Sequence, residues 1–435
     1  MRHVAFHTLG CKLNFSETAA IARQFTEHGF REVDLDQQAD VVVLNTCSVT
    51  ARADRECRQI IRRARRRSPD AYVIVIGCYA QLQPKDVAAI DGVNLVLGTA
   101  EKFRIFEHAD WLTTRPARVK VSPISSAVDV PHASSVGFSD RTRTFLKIQD
   151  GCDYTCSFCT IPLARGTSRS IPVHEIVAEA RSAAEQGCKE IVLTGVNVGD
   201  YGRKIGTSLL TLLKDLVRVD GIERIRISSI EPNLLSDALI DFWASTDRLC
   251  NHFHIPLQSG SDQVLKAMQR RYRRARYADR IEKISALVPG AAIGADVIVG
   301  FPGETETDFE ETYSLLVDLP VTYLHVFSYS ERPNTPAAGF PGSVPPADRA
   351  VRSERLRILS ARKRRLFHES MVGSVRNVLF EGEGRSGLTE EYVRVNVKSD
   401  HSLEGKILPV AVEDADETGC RGRVIADERA REEAA

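Results

Sequence analysis

The chain has 435 residues, 43% of them hydrophobic, and its 58 basic residues balance 58 acidic ones. This length predicts two or three domains with ordinary cores, and no apolar run approaches the roughly 20 residues that a membrane-spanning helix needs. The first residues contain no apolar signal-peptide segment. We therefore expect a cytoplasmic protein whose ten cysteines serve metal binding, redox chemistry or burial and form no disulfide framework.

The neutral total hides two basic clusters. Residues 411–435 carry eight acidic and four basic groups, which leaves the rest of the chain at +4. Eight arginines lie in residues 52–67, and four more surround Tyr272 in residues 270–274. Such patches bind phosphate backbones even on a neutral chain, although a solvated helix face explains either one alone equally well. From the first patch we expect nucleic-acid contacts by Arg62, Arg63 and Arg66.

Residues 1–112 alternate short apolar runs with amphipathic segments. Strands are predicted at 4–7, 41–44 and 72–76, and helices at 16–28 and 55–66. Strands that alternate with helices indicate a parallel sheet. We therefore expect a flavodoxin-like α/β domain here.

Each of these three strands runs into a cysteine, namely Cys11, Cys47 or Cys78. Ligands of open α/β sheets bind beyond the carboxyl ends of the strands, so these cysteines, the auxiliary triplet, should converge. One such cysteine would be read as a small buried hydrophobic residue, but three at equivalent positions indicate an iron–sulfur cluster. The neighbouring glycines Gly10 and Gly77 let the backbone turn beside a bulky ligand.

A second α/β unit is predicted after a linker. Residues 113–140 are punctuated by proline and serine and predict the linker. Strands are then predicted at 145–148, 191–193, 224–227, 252–255, 293–299 and 323–327. Such repetition predicts a partial (β/α)6 barrel within residues 141–370, with its active site at the carboxyl ends of the strands.

The most specific motif follows the first strand of this barrel. Cys152, Cys156 and Cys159, the barrel triplet, have the spacing C-x3-C-x2-C, and no fourth cysteine or histidine follows closely. A structural zinc would need four ligands, whereas three thiolates suit a [4Fe-4S] cluster with one open iron. The pattern resembles that of the radical S-adenosylmethionine (SAM) enzymes, whose open iron chelates SAM.

Residues 371–435 are expected to form a small all-β barrel. Short strands are predicted at 375–380, 392–397 and 407–412, and barrels of this size often bind oligonucleotides.

Elsewhere, His252 and His254 could imitate a metal-binding pair, but we expect packing or hydrogen bonds in the barrel interior. Burial without a ligand is expected for Cys57, Cys188, Cys250 and Cys420.

Several segments across nearly the whole chain carry a closer resemblance. They include TLGCKLN at 8–14, NTCSVT at 45–50, GCYAQ at 77–81, IQDGC at 148–152, SSIEP at 228–232, QSGS at 258–261 and DVIVGFPGE at 296–304. Together they resemble the radical-SAM methylthiotransferases, most closely the MtaB branch. The resemblance implies an N-terminal cluster domain, a radical-SAM barrel and a C-terminal TRAM domain. Phe15–Ser16 and Asn334 depart from the family pattern, and neither is at a predicted ligand.

The resemblance also implies a reaction: methylthiolation at C2 of N6-threonylcarbamoyladenosine at position 37 of tRNA. The C2 hydrogen is unactivated, so a cofactor must supply radical chemistry that acid–base catalysis does not. A [4Fe-4S] cluster on the barrel triplet would reduce SAM to a 5′-deoxyadenosyl radical, and a second on the auxiliary triplet would hold the sulfur. The implied partners are the tRNA anticodon stem-loop and a reductant such as flavodoxin or ferredoxin, with no DNA and no membrane.

The other expected site residues surround SAM or the substrate. For the SAM site we expect Phe158, Gly195, Asn197, Glu231, Gln258 and Gly300. Phe158 could equally be ordinary packing at the rim, and Glu231 could be a carboxylate at a helix N-terminus. We expect Arg332 to pair with the threonylcarbamoyl carboxylate, because arginine suits bidentate carboxylate contacts, with a plain surface arginine as the alternative.

Three other functions stay open from the sequence. The same chemistry could act on a ribosomal protein, or on isopentenyl-modified adenosine in tRNA, which would need an apolar pocket in place of a cation. A third is a non-catalytic iron–sulfur module that binds RNA. Steep salt dependence of tRNA binding would argue against the first, and SAM cleavage would eliminate the last.

Overall fold

The computed structural model describes residues 1–48, 50–108, 118–127, 130, 133–135 and 142–425. Its N-terminal part is a parallel sheet of six strands in the order β2-β1-β3-β4-β5-β6. The first five strands follow the flavodoxin-like order, which confirms the expected fold. The elements are β1 (Arg2–Thr8), α1 (Lys12–Glu27), β2 (Phe30–Val33), β3 (Val41–Thr46), α2 (Ala51–Arg67), β4 (Tyr72–Gly77), α3 (Cys78–Leu82), α4 (Pro84–Ala88), β5 (Val93–Leu97), α5 (Ile105–His108) and β6 (Arg118–Lys120).

Helices cover both faces of this sheet, which explains the continuous apolar runs of β3 and β4. On one face Val42 packs in a core with Ile61 of α2, and on the other Val43 packs with Phe25 of α1. α1 begins at Lys12, four residues before the predicted start, with Cys11 as its N-cap residue. This early start places the first cysteine directly at a helix N-terminus.

The segment predicted as a linker is partly built into the two sheets. β6 pairs with β5 in parallel, so the N-terminal sheet extends beyond residue 112. Farther along, the Ser135 amide donates to the Phe145 carbonyl, and Ala133 accepts from the Lys147 amide. These bonds cover the edge of the first barrel strand, which would otherwise be unpaired. A composition rich in proline and serine did not reveal such short paired stretches.

The central part contains the six parallel strands that the sequence predicted. They form two three-stranded sheets, β7-β10-β11 and β12-β13-β14, joined by single bridges between Ile225 and Leu249 and between Ser229 and His254. No pairing closes β7 onto β14 within the described residues, so the barrel is partial. Its elements are β7 (Arg143–Lys147), β8 (Gln149–Asp150), α6 (Ile161–Arg165), β9 (Arg169–Ser170), α7 (Val173–Glu185), β10 (Glu190–Thr194), α8 (Leu209–Leu216), β11 (Arg224–Ile227), α9 (Asp237–Ala244), β12 (His252–His254), α10 (Asp262–Ala267), α11 (Arg274–Leu287), β13 (Ala292–Val299), α12 (Glu306–Asp318), β14 (Tyr323–Ser328) and α13 (Pro346–Glu369).

The C-terminal part is a closed five-stranded barrel in the order β15-β16-β17-β19-β18, which confirms the expected small all-β barrel. Its strands are β15 (Val375–Glu381), β16 (Ser386–Leu388), β17 (Arg394–Val397), β18 (Ile407–Ala415) and β19 (Cys420–Val424). Arg224 and Arg226 of β11 donate to backbone carbonyls of this barrel and so dock it on the central one. Among the described residues, no helix is both long and apolar enough to cross a membrane.

A buried ionic network joins the N-terminal domain to the central barrel. Glu17 of α1 forms an ion pair with Lys102 at 2.7 Å and accepts hydrogen bonds from Lys147 at 3.0 Å and from Arg165 at 2.9 Å. Asp150 shares Lys147 at 2.7 Å and Arg165 at 3.0 Å. All five side chains are buried, and the three cations hold the pKa of the Glu17 carboxyl well below its usual range. We call these five residues the Glu17 network.

Removing the central carboxylate should destabilise the protein strongly. Glu17→Ala leaves three buried cations with one remaining anion, and breaking a buried ion pair from one side costs about 3–5 kcal/mol. We expect a clearly lower urea midpoint in anaerobic unfolding followed by tryptophan fluorescence. The matched control is Asp36→Ala, which removes the exposed partner of Arg63 and should leave the midpoint unchanged. Equal midpoints for the two variants would contradict the role given to Glu17.

Candidate iron–sulfur and SAM site

The structure brings the auxiliary triplet together at the carboxyl edge of the N-terminal sheet. Cys11 follows β1, Cys47 follows β3 and Cys78 follows β4. A Cβ added to Gly10 would lie 2.8 Å from the Cys47 Cβ, so Cys47 packs directly against the turn that carries Cys11. Cys11 and Cys78 are close enough to interact electrostatically. The three thiols therefore surround one small region, as a shared ligand would need.

This region is open on one side. Cys11 is exposed, Cys47 is half-buried and Cys78 is buried. Burial raises the pKa of the Cys78 thiol, while the positive charges of Arg165 and Lys102 act in the opposite direction. Those two cations belong to the Glu17 network, which carries three positive and two negative side chains. A cluster ligated here would have the positive charges of Arg165 and Lys102 on its buried side, and it would be accessible to a substrate from the side of Cys11.

The barrel triplet lies on the loop between β8 and α6. Its thiols already receive hydrogen bonds: the Tyr154 amide donates to Cys152 and the Ile161 amide to Cys159, both at 3.4 Å. Hydrogen bonds to sulfur are one means by which proteins tune iron–sulfur clusters. Without metal, burial raises the pKa of Cys159 to about 12 and of Cys152 to about 11. Three sulfurs with donors and no protein disulfide fit a three-thiolate cluster.

Arg270 belongs to this site, which the sequence did not indicate. Its guanidinium donates to the Cys156 sulfur at 3.1 Å and forms an ion pair with Glu231, and only 4% of the side chain is exposed. The second arginine patch is therefore not one RNA-binding surface, because its first member is buried against the cluster loop. Arg271 stacks on Tyr154 of the same loop at 4.0 Å. The sequence could not show this position of Arg270, because its partner Cys156 is 114 residues away in the chain.

Asn197 is the strongest sign of a ligand beside the barrel triplet. The side chain is 4% exposed, and neither its amide nitrogen nor its carbonyl oxygen has a hydrogen-bond partner among the described residues. Its loop is fixed because the amides of Val196 and Asn197 both donate to Gln149 Oε1 at 2.9 Å. A buried carboxamide without partners is costly, and the amino and carboxylate groups of SAM would satisfy it. The neighbouring Gly195 has a Cβ position only 3.0 Å from that Gln149 oxygen, so a larger residue would crowd the loop.

The remaining expected SAM residues have mixed surroundings. Phe158 is half-buried and packs edge-on against Phe301, which is compatible with covering the cluster or with plain rim packing. Gln258 adopts a φ of 66°, a conformation that is rare for residues other than glycine and is often stored at functional sites. Gly300 is buried beneath Arg349, and its amide donates to Glu304 at 2.6 Å. Its amide is thus already bonded within the protein.

The arginines expected to contact the substrate are placed differently from one another. Arg332 is buried, and its guanidinium donates to Asp54 and Ser48, each at 2.7 Å. It therefore ties the loop after β14 to the N-terminal domain, and the carboxylate that it binds in this structure belongs to the protein. Arg62 and Arg66 are exposed on α2 with no acidic partner among the described residues, whereas Arg63 pairs with Asp36.

The two triplets are close neighbours in the fold. α3, which begins at Cys78, packs against α6, which begins two residues after Cys159. Arg165 at the end of α6 reaches across to Asn14 of α1 at 2.6 Å and to Glu17. The same arginine is close enough to influence Cys78 electrostatically. Both cysteine sites thus lie beside the Glu17 network. No local sequence pattern indicated this network, because its members are far apart in the chain.

The other cysteines and histidines behave as expected. Burial without a cysteine partner is confirmed for Cys57, Cys188, Cys250 and Cys420. In the barrel interior His252 bonds with the Tyr323 hydroxyl at 2.8 Å, and His254 bonds with Asp296 at 2.9 Å. His325 completes a group in which the ligand atoms of His254, Asp296 and His325 lie within 4.8 Å of one another. The hydrogen bonds account for His252 and His254 without a metal.

Comparisons with known proteins agree with this arrangement. The sequence pattern of the Radical SAM superfamily matches residues 146–316, and that of the uncharacterized protein family UPF0004 matches residues 3–98. The fold resembles the radical SAM methyltransferase TsrM of Kitasatospora setae with a TM-score of 0.58 at 17% identity, covering 78% of this chain and 75% of that one. The protein is thus a radical-SAM enzyme by fold and by its three-cysteine loop.

Relatives with longer matches define the family. A threonylcarbamoyladenosine tRNA methylthiotransferase MtaB of Bacillus subtilis is 41% identical over 95% of this chain and 94% of its own length. The MtaB of Aquifex aeolicus is 38% identical over 94% of this chain and its whole length. A tRNA-2-methylthio-N(6)-dimethylallyladenosine synthase of Syntrophotalea carbinolica is 36% identical over 94% of this chain and 97% of its own length. The chain belongs to the radical-SAM methylthiotransferases, enzymes that use SAM and two [4Fe-4S] clusters.

The glycine beside Cys11 offers a test of the auxiliary site. Gly10→Ala would place a Cβ 2.8 Å from the Cys47 Cβ at a backbone φ of 105°, so the cysteines must move apart. We expect the iron content after anaerobic reconstitution to fall from about eight toward about four per chain. Gly29→Ala is the matched control, because it also has a positive φ but has no neighbour within 4 Å. Equal iron loss in both variants would show that backbone strain alone is responsible.

Proposed function

We propose that the protein methylthiolates C2 of N6-threonylcarbamoyladenosine at position 37 of tRNA, using SAM, a [4Fe-4S] cluster on the barrel triplet and a second on the auxiliary triplet. The observation that carries the proposal is the placement of two cysteine triplets on one buried ionic network. An enzyme that only cleaved SAM would need the barrel triplet alone. The named MtaB relatives, matched over nearly their full lengths, support threonylcarbamoyladenosine as the substrate.

In this proposal the clusters and SAM supply the one-electron chemistry that an unactivated C–H bond requires. The chain's own residues bind and orient. Asn197 would hydrogen-bond the polar end of SAM, and Phe158 would shield the barrel cluster. Glu231 would hold Arg270 against the Cys156 sulfur and contact SAM with its remaining hydrogen-bonding capacity. Gln258, Gly195 and Gly300 would shape the backbone around the cofactor.

The surface of α2 would bind the tRNA. The helix starts four residues after Cys47, and Arg55, Arg62, Arg66 and Arg67 are exposed along it with no acidic partner among the described residues. An exposed row of arginines that leads toward the auxiliary triplet matches the charge of an anticodon stem. The small C-terminal barrel, of a type that binds oligonucleotides, would supply a second contact.

The reaction also needs electrons and access to tRNA. We propose a flavodoxin or ferredoxin as the electron donor and the cytoplasm as the location.

The proposed domains are residues 1–112, 141–370 and 371–435, as expected from the sequence. β6 (Arg118–Lys120) belongs to the N-terminal sheet although it lies in the segment expected to be a linker. Residues 426–435 lie outside the described part of the chain.

The proposal is tested by product analysis. Anaerobically reconstituted protein is incubated with SAM, dithionite and tRNA that carries either threonylcarbamoyl- or isopentenyl-adenosine, and the digested nucleosides are weighed by mass spectrometry. We expect about eight irons per chain and a new methylthio mass on threonylcarbamoyladenosine only. Replacing the barrel triplet by alanine should abolish SAM cleavage. Replacing the auxiliary triplet should preserve SAM cleavage and abolish methylthiolation.

Two results would overturn this account. Methylthiolation of isopentenyladenosine alone would keep the chemistry and replace the substrate. SAM cleavage with about four irons in the wild type and no modified nucleoside would remove the role given to the auxiliary triplet.

The α2 surface gives a separate prediction about tRNA affinity. Arg62→Gln combined with Arg66→Gln removes two phosphate contacts, so the slope of log K against log salt should become less steep by roughly 1.5. The matched control replaces Arg181 and Lys214, which are exposed on α7 and α8 away from both triplets. Filter binding at several salt concentrations measures the slopes. An unchanged slope in the α2 variant would place the tRNA elsewhere.

A further inference from the structure

A strained tyrosine marks the point where the three domains meet. Tyr392 of the C-terminal barrel has a φ of 67°, a conformation that costs a bulky residue on the order of 1–3 kcal/mol. Tyr392 is half-buried, and its ring faces Lys12 at 4.9 Å and Arg226 at 4.7 Å. Lys12 comes from the N-terminal domain and Arg226 from the central barrel. The strained backbone therefore holds the Tyr392 ring between residues of the other two domains.

The charges at this junction do not balance. Arg226 is paired with Glu190 at 2.8 Å and Arg143 with Glu381, and the Asp296 carboxylate is hydrogen-bonded to the His254 ring at 2.9 Å. Lys12 has no carboxylate within ion-pair distance and no hydrogen-bond partner among the described residues. Its contact with the face of Tyr392 is the kind that a cation uses when no anion is present. Lys12 is therefore the surplus cation of the junction.

Lys12 lies next to the auxiliary triplet in the chain, and its ammonium lies near residues of the central barrel. Lys12 is the residue after Cys11 and begins α1. It is close enough to His325 of β14 to interact electrostatically, and the His325 side chain is 53% exposed. Phe327, two residues farther on the same strand face, is exposed as well. A base that reacts at a cluster on Cys11 would therefore lie close to the residue that follows this cysteine in the chain.

We propose that Lys12 binds the carboxylate of the substrate's threonylcarbamoyl group and thereby selects it. This inference rests on the proposed function, in which C2 of that adenosine meets the auxiliary triplet. C2 and the carbon that bears N6 belong to the same six-membered ring, so the N6 substituent stays near Cys11 and Lys12. Arg332, the arginine that the sequence suggested for this role, already binds Asp54.

The same arrangement would reject an uncharged N6 group. An isopentenyl substituent would displace water from Lys12 without offering an anion, and leaving a charge unpaired is costly. Selection would thus come from both attraction for the carboxylate and a penalty for its absence. Lys12→Gln keeps the length and polarity of the side chain and removes the charge, while Lys12→Arg keeps the charge.

The test is a double-mutant comparison with synthetic anticodon stem-loops that carry threonylcarbamoyladenosine or its methyl ester. A charge-assisted hydrogen bond contributes enough that its loss should raise KM for the carboxylate substrate about ten- to a hundredfold in Lys12→Gln. Wild-type protein should show a similar loss with the methyl ester. The variant should show no further loss with the ester, and Lys12→Arg should recover part of the affinity. Lys214→Gln, an exposed lysine on α8, is the matched control and should behave as wild type.

Each alternative result has a distinct meaning. If wild-type protein modifies the acid and the ester with equal KM, or Lys12→Gln weakens both equally, Lys12 does not recognise the carboxylate. If wild-type protein modifies neither, the proposed function itself fails. Iron content, measured in every variant, shows whether the auxiliary cluster has been lost. Where a variant has lost iron, its binding of the acid and ester stem-loops is compared directly, and a Lys12→Gln variant that still prefers the acid as wild-type protein does contradicts the role of Lys12.

Discussion

The buried carboxylate of Glu17 is the contact on which the two cysteine sites depend. Glu17 lies on the helix that starts at Cys11, and its partners come from the barrel strand before the Cys152 loop and from the helix after it. Charges buried in this way cost much desolvation and are tolerated only when each is well paired, so the network permits few alternative arrangements. It holds a flavodoxin-like sheet and a partial barrel in one fixed relation. That relation brings Cys78 next to the helix that follows Cys159.

The network also sets the electrostatics of the site. Three cations against two anions leave positive charge beneath the auxiliary triplet, where an anionic thiolate cluster would sit. Farther out, Lys12 and four exposed arginines of α2, namely Arg55, Arg62, Arg66 and Arg67, have no carboxylate partner among the described residues, whereas Arg63 is paired with Asp36. Most other charges near the junction are neutralised in pairs, such as Arg226 with Glu190 and Arg332 with Asp54. The unpaired positive charges therefore extend from the proposed tRNA-binding surface of α2 to Lys12, the residue after Cys11.

The sequence predicted the parts of the molecule that local patterns encode. The six cysteines, the six barrel strands and the small C-terminal barrel follow from spacing and periodicity, which are properties of neighbouring residues. Arg332 and Arg270 were assigned less well, because their partners Asp54 and Cys156 are 278 and 114 residues away. The same limit hid the Glu17 network, where Arg165 bonds a residue 148 positions distant. The predicted linker was too long, because its stretches that pair with the two sheets are too short to show a strand-like alternation in the sequence.

The central claim is that both triplets bind clusters on one shared frame. An anaerobic crystal structure of the reconstituted protein tests it most directly. The account predicts one [4Fe-4S] cluster on Cys152, Cys156 and Cys159, a second on Cys11, Cys47 and Cys78, and an intact Glu17 network between them. A single cluster, or a second one bound through other residues such as Cys57 or His325, would contradict it.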